Sequence, residues 1–216
     1  MIVQRLDLTK PWSAHVQSDG SQIGGTDPAQ YGCYVVPGAE PALLLYTSGT
    51  TVKGGAWPAA EWYLPPQPVQ LNTGHFSLEY QLLVGAAMQT AGNVFETDTI
   101  LIYQGYKYNL PLQRHTTDGR IDIGNWTDTG LRLKALQPNT AYDVVIAYEF
   151  DTTKHTCSVL SYAVGDETSI IPARLRGMAA TKTTWAEGAL PQVQMGSLPA
   201  GDPWSVLLKN VKFRWW

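Results

Sequence analysis

The stretch Asn93-Val-Phe-Glu-Thr-Asp-Thr-Ile-Leu-Ile-Tyr103 places two carboxylates in a run that is otherwise mainly apolar or β-branched. Side chains alternate between the two faces of a strand, so Glu96 and Asp98 point to the same face, roughly 7 Å apart. Phe95 and Leu101 point to the opposite face. β-Branched and aromatic residues favour strand structure. The pattern predicts a strand with one face in a core and one face that presents two acids.

The composition predicts an all-β chain with a large core. Hydrophobic residues make up 44% of the 216 residues and charged residues only 15%, which is typical of a folded protein. The 20 glycines and 14 prolines suit short strands joined by tight turns, and helical periodicity is almost absent. All-β sandwiches of this length commonly form one domain, and no repeat or linker divides the chain. We therefore expect a single domain over residues 1–216.

Seven segments of β-branched or aromatic residues predict strands, and turns at 136–140 and 151–155 separate neighbouring ones. Two stretches rich in glycine, proline and polar residues, 48–72 and 168–201, predict long loops. Many strands without intervening helices indicate a sandwich or a barrel. The predicted strands cover residues 76–84, 94–104, 119–124, 131–136, 142–150, 157–164 and 205–215.

Charge and hydropathy argue against two kinds of partner. A formal net charge of −3 with scattered basic residues offers no face for nucleic acid. No apolar run approaches the roughly 18 residues of a membrane span. Residues 1–8 show no signal peptide, so we expect a cytoplasmic protein or a mature secreted form whose leader has been removed. Cys33 and Cys157 are expected to be free and buried, with a single disulfide as the alternative.

Three segments resemble the concanavalin A-like lectin and glucanase superfamily: Phe95-Glu-Thr-Asp-Thr99, Asn125-Trp-Thr-Asp-Thr-Gly130, and the strand pair from Tyr142 to Val159. The resemblance implies a jelly-roll β-sandwich of two curved antiparallel sheets, with the first and last strands side by side. It also implies that a concave sheet forms a sugar-binding groove, which Glu96 and Asp98 face. Burying both carboxylates between the sheets would cost several kcal/mol unless each were paired.

One alternative function is suggested by the retaining glucanases of this superfamily. They use Glu-x-Asp followed by a further Glu four or five residues after the first. Glu96 and Asp98 match the first two positions, but the third falls on Ile100 or Leu101, and neither transfers a proton. A retaining mechanism needs two carboxyl groups about 5.5 Å apart, for which Glu79 is a cross-strand candidate. The alternative is a glycoside hydrolase acting on a β-linked polysaccharide, with Glu96 as nucleophile.

Two other groups in the superfamily resemble the chain in part. Legume lectins share Glu-x-Asp-Thr and bind metal ions with a following Asn, Asp and His. Here the Asn position is Ile102, and Asp118 and His115 fall in the wrong order, so we expect no metal site and no cofactor. Alginate lyases use Tyr, His, Gln and a basic residue, which the run from Tyr103 to Asn109, with Gln113 and His115 beyond it, resembles. A polysaccharide lyase is therefore a further alternative.

Sugar sites pair an aromatic platform with amide or carboxyl groups that hydrogen-bond to hydroxyls. Four tryptophans fall in turn-rich segments, where such platforms are often built: Trp57, Trp62, Trp126 and Trp185. Gln192 and Gln194 are two positions apart, so on a strand both amides point to one face. We therefore predict a lectin-like protein that binds an oligo- or polysaccharide and lacks a complete catalytic motif. The expected ligand-binding residues are Glu96, Asp98, Asn109, Gln113, Trp126, Trp185, Gln192 and Gln194.

A last alternative is a structural or assembly protein in which exposed aromatic side chains form a protein interface. An interface of standard size would give a stable oligomer, which sedimentation at several concentrations detects. The oligomeric state, the ligand and the polymer linkage stay open at this level.

Overall fold

The computed structural model describes residues 2–8, 13–18, 21–23, 31–47, 57–64, 73–85, 93–124, 127–170, 178–197 and 204–215. In this part of the chain every regular element is a β-strand, and all strand pairs are antiparallel. Within the same ranges no helix is long and apolar enough to cross a membrane. The strands are β1 Ile2–Arg5, β2 Ser13–Ser18, β3 Ser21–Ile23, β4 Tyr31–Val36, β5 Ala42–Thr47, β6 Trp57–Glu61, β7 Thr73–Val84, β8 Asn93–Tyr103, β9 Tyr106–His115, β10 Arg120–Ile123, β11 Thr127–Arg132, β12 Ala141–Asp151, β13 Thr156–Val164, β14 Glu167–Ile170, β15 Met178–Ala179, β16 Thr181–Lys182, β17 Gly188–Ser197 and β18 Trp204–Trp215.

The strands form two nine-stranded sheets, here called sheet A and sheet B. Sheet A has the order β14-β13-β12-β7-β18-β5-β4, with β1 paired to β18 and β15 to β13. Sheet B has the order β11-β10-β9-β8-β17-β6-β2-β3, with β16 paired to β9. The pairing of β1 with β18 confirms that the first and last strands lie side by side. The expected β-sandwich of two antiparallel sheets is confirmed.

The two sheets pack through alternate residues of their strands. In sheet A the ring of Phe76 stacks on Tyr148, with centroids 4.7 Å apart, and on Phe213, with centroids 5.4 Å apart. Phe95 and Leu101 enter the same core from β8. Each fully buried side chain of this size contributes about 1.5–3 kcal/mol. The odd positions of β8 therefore face the inter-sheet core, as the alternation predicts.

Polar groups also lie between the sheets. The hydroxyl oxygens of Tyr80 in β7 and Thr97 in β8 are 3.0 Å apart, which joins the sheets by a hydrogen bond. The Arg114 side chain is 1% exposed, donates to the backbone carbonyl of Lys134, and lies 5.8 Å from the centroid of Tyr162. Among the described side chains no carboxylate pairs with Arg114. The inter-sheet core thus holds a guanidinium that aromatic and carbonyl groups surround.

Two predicted loop regions contain strands instead. β6 lies within 48–72, and β17 lies within 168–201 at the centre of sheet B, between β8 and β6. Pro191 in β17 has no N–H to donate, but its carbonyl accepts from the Trp62 backbone at 3.0 Å, so the strand continues through it. The strand predicted at 131–136 lies earlier in the chain, because β11 begins at Thr127 and ends at Arg132. Leu136 packs in the core from an irregular segment.

Both cysteines are free, as expected. Cys157 is buried in β13, and Cys33 is half-buried in β4. Burial raises the pKa of each thiol to about 12. Both are therefore structural thiols of low reactivity.

Candidate functional site

The face of sheet B that points away from the core carries a continuous group of carboxyl and amide side chains, here called the polar face. On β8, Glu96 lies between Gln113 of β9 and Gln194 of β17. Asp98 lies beside Gln192 in the next row. Directly opposed residues in a sheet have Cβ atoms about 5 Å apart, so these side chains contact one another. Five of the expected ligand-binding residues therefore lie together on three adjacent strands.

Glu96 is at the centre of this group. Its side chain is 2% exposed, and Gln113 donates to its Oε2 at 3.3 Å. Burial raises the pKa of Glu96, and hydrogen bonds with Gln194, Asp98 and Gln113 oppose that rise. Glu96 is therefore a buried carboxyl group whose polar neighbours are Gln113, Gln194 and Asp98.

Exposure divides the polar face into two layers. Glu96, Gln113, Gln192 and Gln194 are all buried. Asp98 and Asn109 are only half-buried, and Trp185 is 54% exposed. The buried amides and Glu96 form a supporting layer. Asp98, Asn109 and Trp185 are therefore the expected residues that a bound molecule can reach.

The Lys107 side chain lies at one end of the polar face. Lys107 and Asn109 precede Gln113 in β9 and point to the same side of the sheet. The Nζ of Lys107 is 4.6 Å from the ring centroid of Trp185, which is a cation–π contact. Trp126 lies outside the described residues. Trp62 is instead a buried core residue whose indole donates to the Asp7 carbonyl at 3.0 Å.

A cluster of His115, Arg120 and Asp122 lies at the other end of the polar face. Asp122 of β10 pairs in register with Gln113. The Arg120 Nη2 atom is 3.0 Å from Asp122 Oδ2 and 2.7 Å from His115 Nε2. His115 Nε2 and Asp122 Oδ2 are 3.0 Å apart. The sequence pattern did not predict this cluster. The alternation Gln113-x-His115 and Arg120-x-Asp122 was the available signal, but the short connection between them hides their pairing.

Several acceptors on the polar face have no protein donor. The buried oxygens Gln194 Oε1, Asn109 Oδ1 and Asp122 Oδ1 have no hydrogen-bond partner among the described residues. A buried acceptor left unpaired costs about 1–3 kcal/mol. The polar face is therefore chemically suited to molecules that bring O–H or N–H donors.

No family model and no curated protein matches this sequence. Solved structures match nearly the whole chain. Lectin II from Ulex europaeus has a TM-score of 0.55 at 10% identity, covering 99% of this chain and 98% of its own. The basic winged bean lectin with Tn-antigen has a TM-score of 0.50 at 10% identity, covering 100% and 98%. An alginate lyase in complex with alginate trisaccharide has a TM-score of 0.50 at 12% identity, covering 98% and 97%.

The fold is a jelly-roll β-sandwich. Lectins and a lyase share this jelly roll with the chain at 10% and 12% identity, so the likeness shows the fold and the function must be argued from the site.

Glu79 does not serve as the second carboxyl group of a retaining hydrolase, so that prediction is wrong. It lies in the other sheet of the jelly roll, on β7, where it accepts from Ser77 and pairs with Arg214. Asp122 is two strands from Glu96, about 10 Å by strand spacing. Among the described side chains, the polar face has no carboxyl partner for Glu96 at the separation of about 5.5 Å.

The tyrosines that resemble those of alginate lyases lie on the other side of sheet B of the jelly roll. Tyr108 is completely buried in the core, and Tyr106 stacks on His155 with ring centroids 3.8 Å apart. Gln113 and His115 point to the polar face. The set of side chains that a lyase would need is thus divided between two faces.

The described part of the jelly roll has no group of three or more His, Cys, Asp or Glu side chains that could hold a metal ion. Burial raises the pKa of Glu96, which disfavours the deprotonated form that a hard cation needs as a ligand.

Proposed function

We propose that this jelly roll is a single-domain, lectin-like protein that binds an oligo- or polysaccharide on the polar face. The observation that carries the proposal is the continuous group of carboxyl and amide side chains on β8, β9 and β17. Sugar hydroxyls donate and accept hydrogen bonds, so they complement both amides and carboxyl oxygens. Asp98 and Asn109, which are half-buried, are the members of this group that a ligand can reach.

The side chains take two roles in this proposal. Asp98 and Asn109 contact the sugar hydroxyls, and the exposed indole of Trp185 packs on the apolar face of a sugar ring. The buried side chains hold Asp98 in place through Glu96. The supporting residues are Glu96, Gln113, Gln192 and Gln194. Trp126 stays a prediction of the sequence.

Binding without turnover is the form of this proposal that the geometry favours. Glu96 is buried and hydrogen-bonded to Asp98, so it is poorly placed to attack a sugar carbon. Asp122, the nearest further described carboxylate in register, is already held by Arg120 and His115. These contacts leave neither group as a mobile acid or nucleophile.

A glycan array followed by calorimetry on the best ligand tests the proposal. Asp98→Ala should weaken binding about tenfold or more, the loss expected for a hydrogen bond to a charged group. The matched control is Asp143→Ala, because Asp143 is an exposed acid in sheet A. Binding that is unchanged in Asp98→Ala, or the absence of any bound glycan, would overturn the proposal. Release of reducing ends that Glu96→Gln abolishes would establish the hydrolase alternative instead.

A further inference from the structure

Lys107 is a half-buried cation without a carboxylate partner. In register it lies between Ile102 of β8 and Thr181 of β16. Among the described residues no carboxylate lies within ion-pair distance of its Nζ. The contact with Trp185, 4.6 Å to the centroid, is what holds the ammonium group. A cation over an indole keeps N–H donors that point away from the ring, so Lys107 is preorganised to bind an anion.

The segment before Trp185 borders a depression at the edge of sheet B. This depression of about 540 Å³ is lined by Gly105, Lys182, Thr183 and Thr184. Lys182 pairs in register with Tyr106, so its side chain points to the side of the sheet opposite to Lys107.

An acidic residue, Glu187, also lies near this end of sheet B. Its Oε1 already accepts a hydrogen bond from the Gln104 backbone at 2.8 Å. Glu187 makes no ion pair with Lys107 among the described contacts. An ammonium group that no described carboxylate neutralises favours an anionic group.

We propose that this end of the polar face is a subsite for the acidic group of a saccharide, a carboxylate or a sulfate. The anion binds Lys107, and the sugar ring packs on the indole of Trp185. Asn109 is the next side chain on the same face of β9, about 7 Å away along the strand, and accepts from a hydroxyl of the same ligand. The subsite rests on the proposed function and names the ligand class within it.

The test uses an array that contains neutral oligosaccharides together with carboxylated and sulfated ones, and calorimetry on matched pairs such as an oligogalacturonate and its methyl ester. The acidic member should bind more tightly, and the carboxylated and sulfated arms identify which anion is preferred. Lys107→Gln should weaken acidic binding about tenfold or more and leave neutral binding within about twofold. Raising the salt from about 50 to 500 mM should weaken acidic binding selectively.

The control is Lys209→Gln, which removes a lysine from sheet A and should change neither class. Tighter binding of neutral glycans, or equal loss of both classes in Lys107→Gln, would overturn the subsite while the proposed function stands. The absence of any bound glycan would overturn both. Tighter binding of acidic saccharides by Lys107→Gln than by the wild type would also contradict the subsite, because Lys107 would then weaken binding of the acidic group.

Discussion

Replacing Glu96 by Gln tests whether burial raises the pKa of this carboxyl group. Burial raises the pKa of Glu96 above its ordinary value of 4.5. Well below pH 4.5 the group is protonated in both the folded and the unfolded chain, so its titration does not affect stability. As the pH rises through 4.5 the unfolded chain releases this proton while the folded chain keeps it, so stability falls until the folded pKa is passed.

One proton bound more tightly by the folded state sets the size of the effect. The free energy of unfolding should fall by at most about 1.4 kcal/mol per pH unit within that window. Glu96→Gln has no carboxyl group at this position but retains hydrogen-bonding capacity toward Asp98. The variant should match the wild type below about pH 4, gain on it as the pH rises, and keep a constant advantage above the folded pKa.

Urea unfolding followed by tryptophan fluorescence, at half-unit steps from about pH 3.5 to 8, measures the difference. The chain has eight tryptophans, and the buried Trp62 and Trp204 suit this readout. The control is Glu40→Gln, because Glu40 is exposed, and its difference from wild type should be independent of pH. If the difference between Glu96→Gln and wild type is also independent of pH, the pKa of Glu96 is not raised in the folded protein.

Three further outcomes are expected. Tyr80→Phe should lose about 0.5–1.5 kcal/mol of stability in urea, because it removes the inter-sheet hydrogen bond to Thr97, and an unchanged midpoint would contradict this. Arg114→Met should raise stability by about 1–4 kcal/mol in thermal unfolding, because it removes a buried cation without a carboxylate, and a lower melting temperature would show that its polar contacts prevail. Cys33 and Cys157 should react with a disulfide reagent at pH 8 only in denaturant, because their thiol pKa values are about 12, and rapid labelling of the folded protein would disprove their burial.

The alternation of side chains was sufficient to predict much of the polar face. The common direction of Glu96 and Asp98 followed from the period of two, as did that of Gln192 and Gln194. The burial of Phe95 on the opposite side followed from the same rule. Local pattern therefore predicted the orientation of residues within each strand.

The neighbours of each strand were not predictable in the same way. β17 pairs with β8 across about ninety residues of chain, and nothing local in Gln192-Val-Gln-Met195 specifies that partner. Pro191 and the nearby glycines indicated a loop, but tertiary pairing overrode their local preference. The contacts of Asp122 with His115 and Arg120 were missed for the related reason that they depend on the register of β9 against β10.

The positions of β17 and β18 affect how this jelly roll folds during its synthesis. β18 separates β7 from β5 in sheet A, and β17 separates β8 from β6 in sheet B, so two late segments of the chain occupy interior positions. Until they are synthesised, the earlier strands beside them have unpaired backbone edges. Such edges invite association between nascent chains, and the long-range pairings slow folding. A ribosome-associated chaperone that shields open edges should therefore increase the yield of soluble protein more than a stronger promoter does.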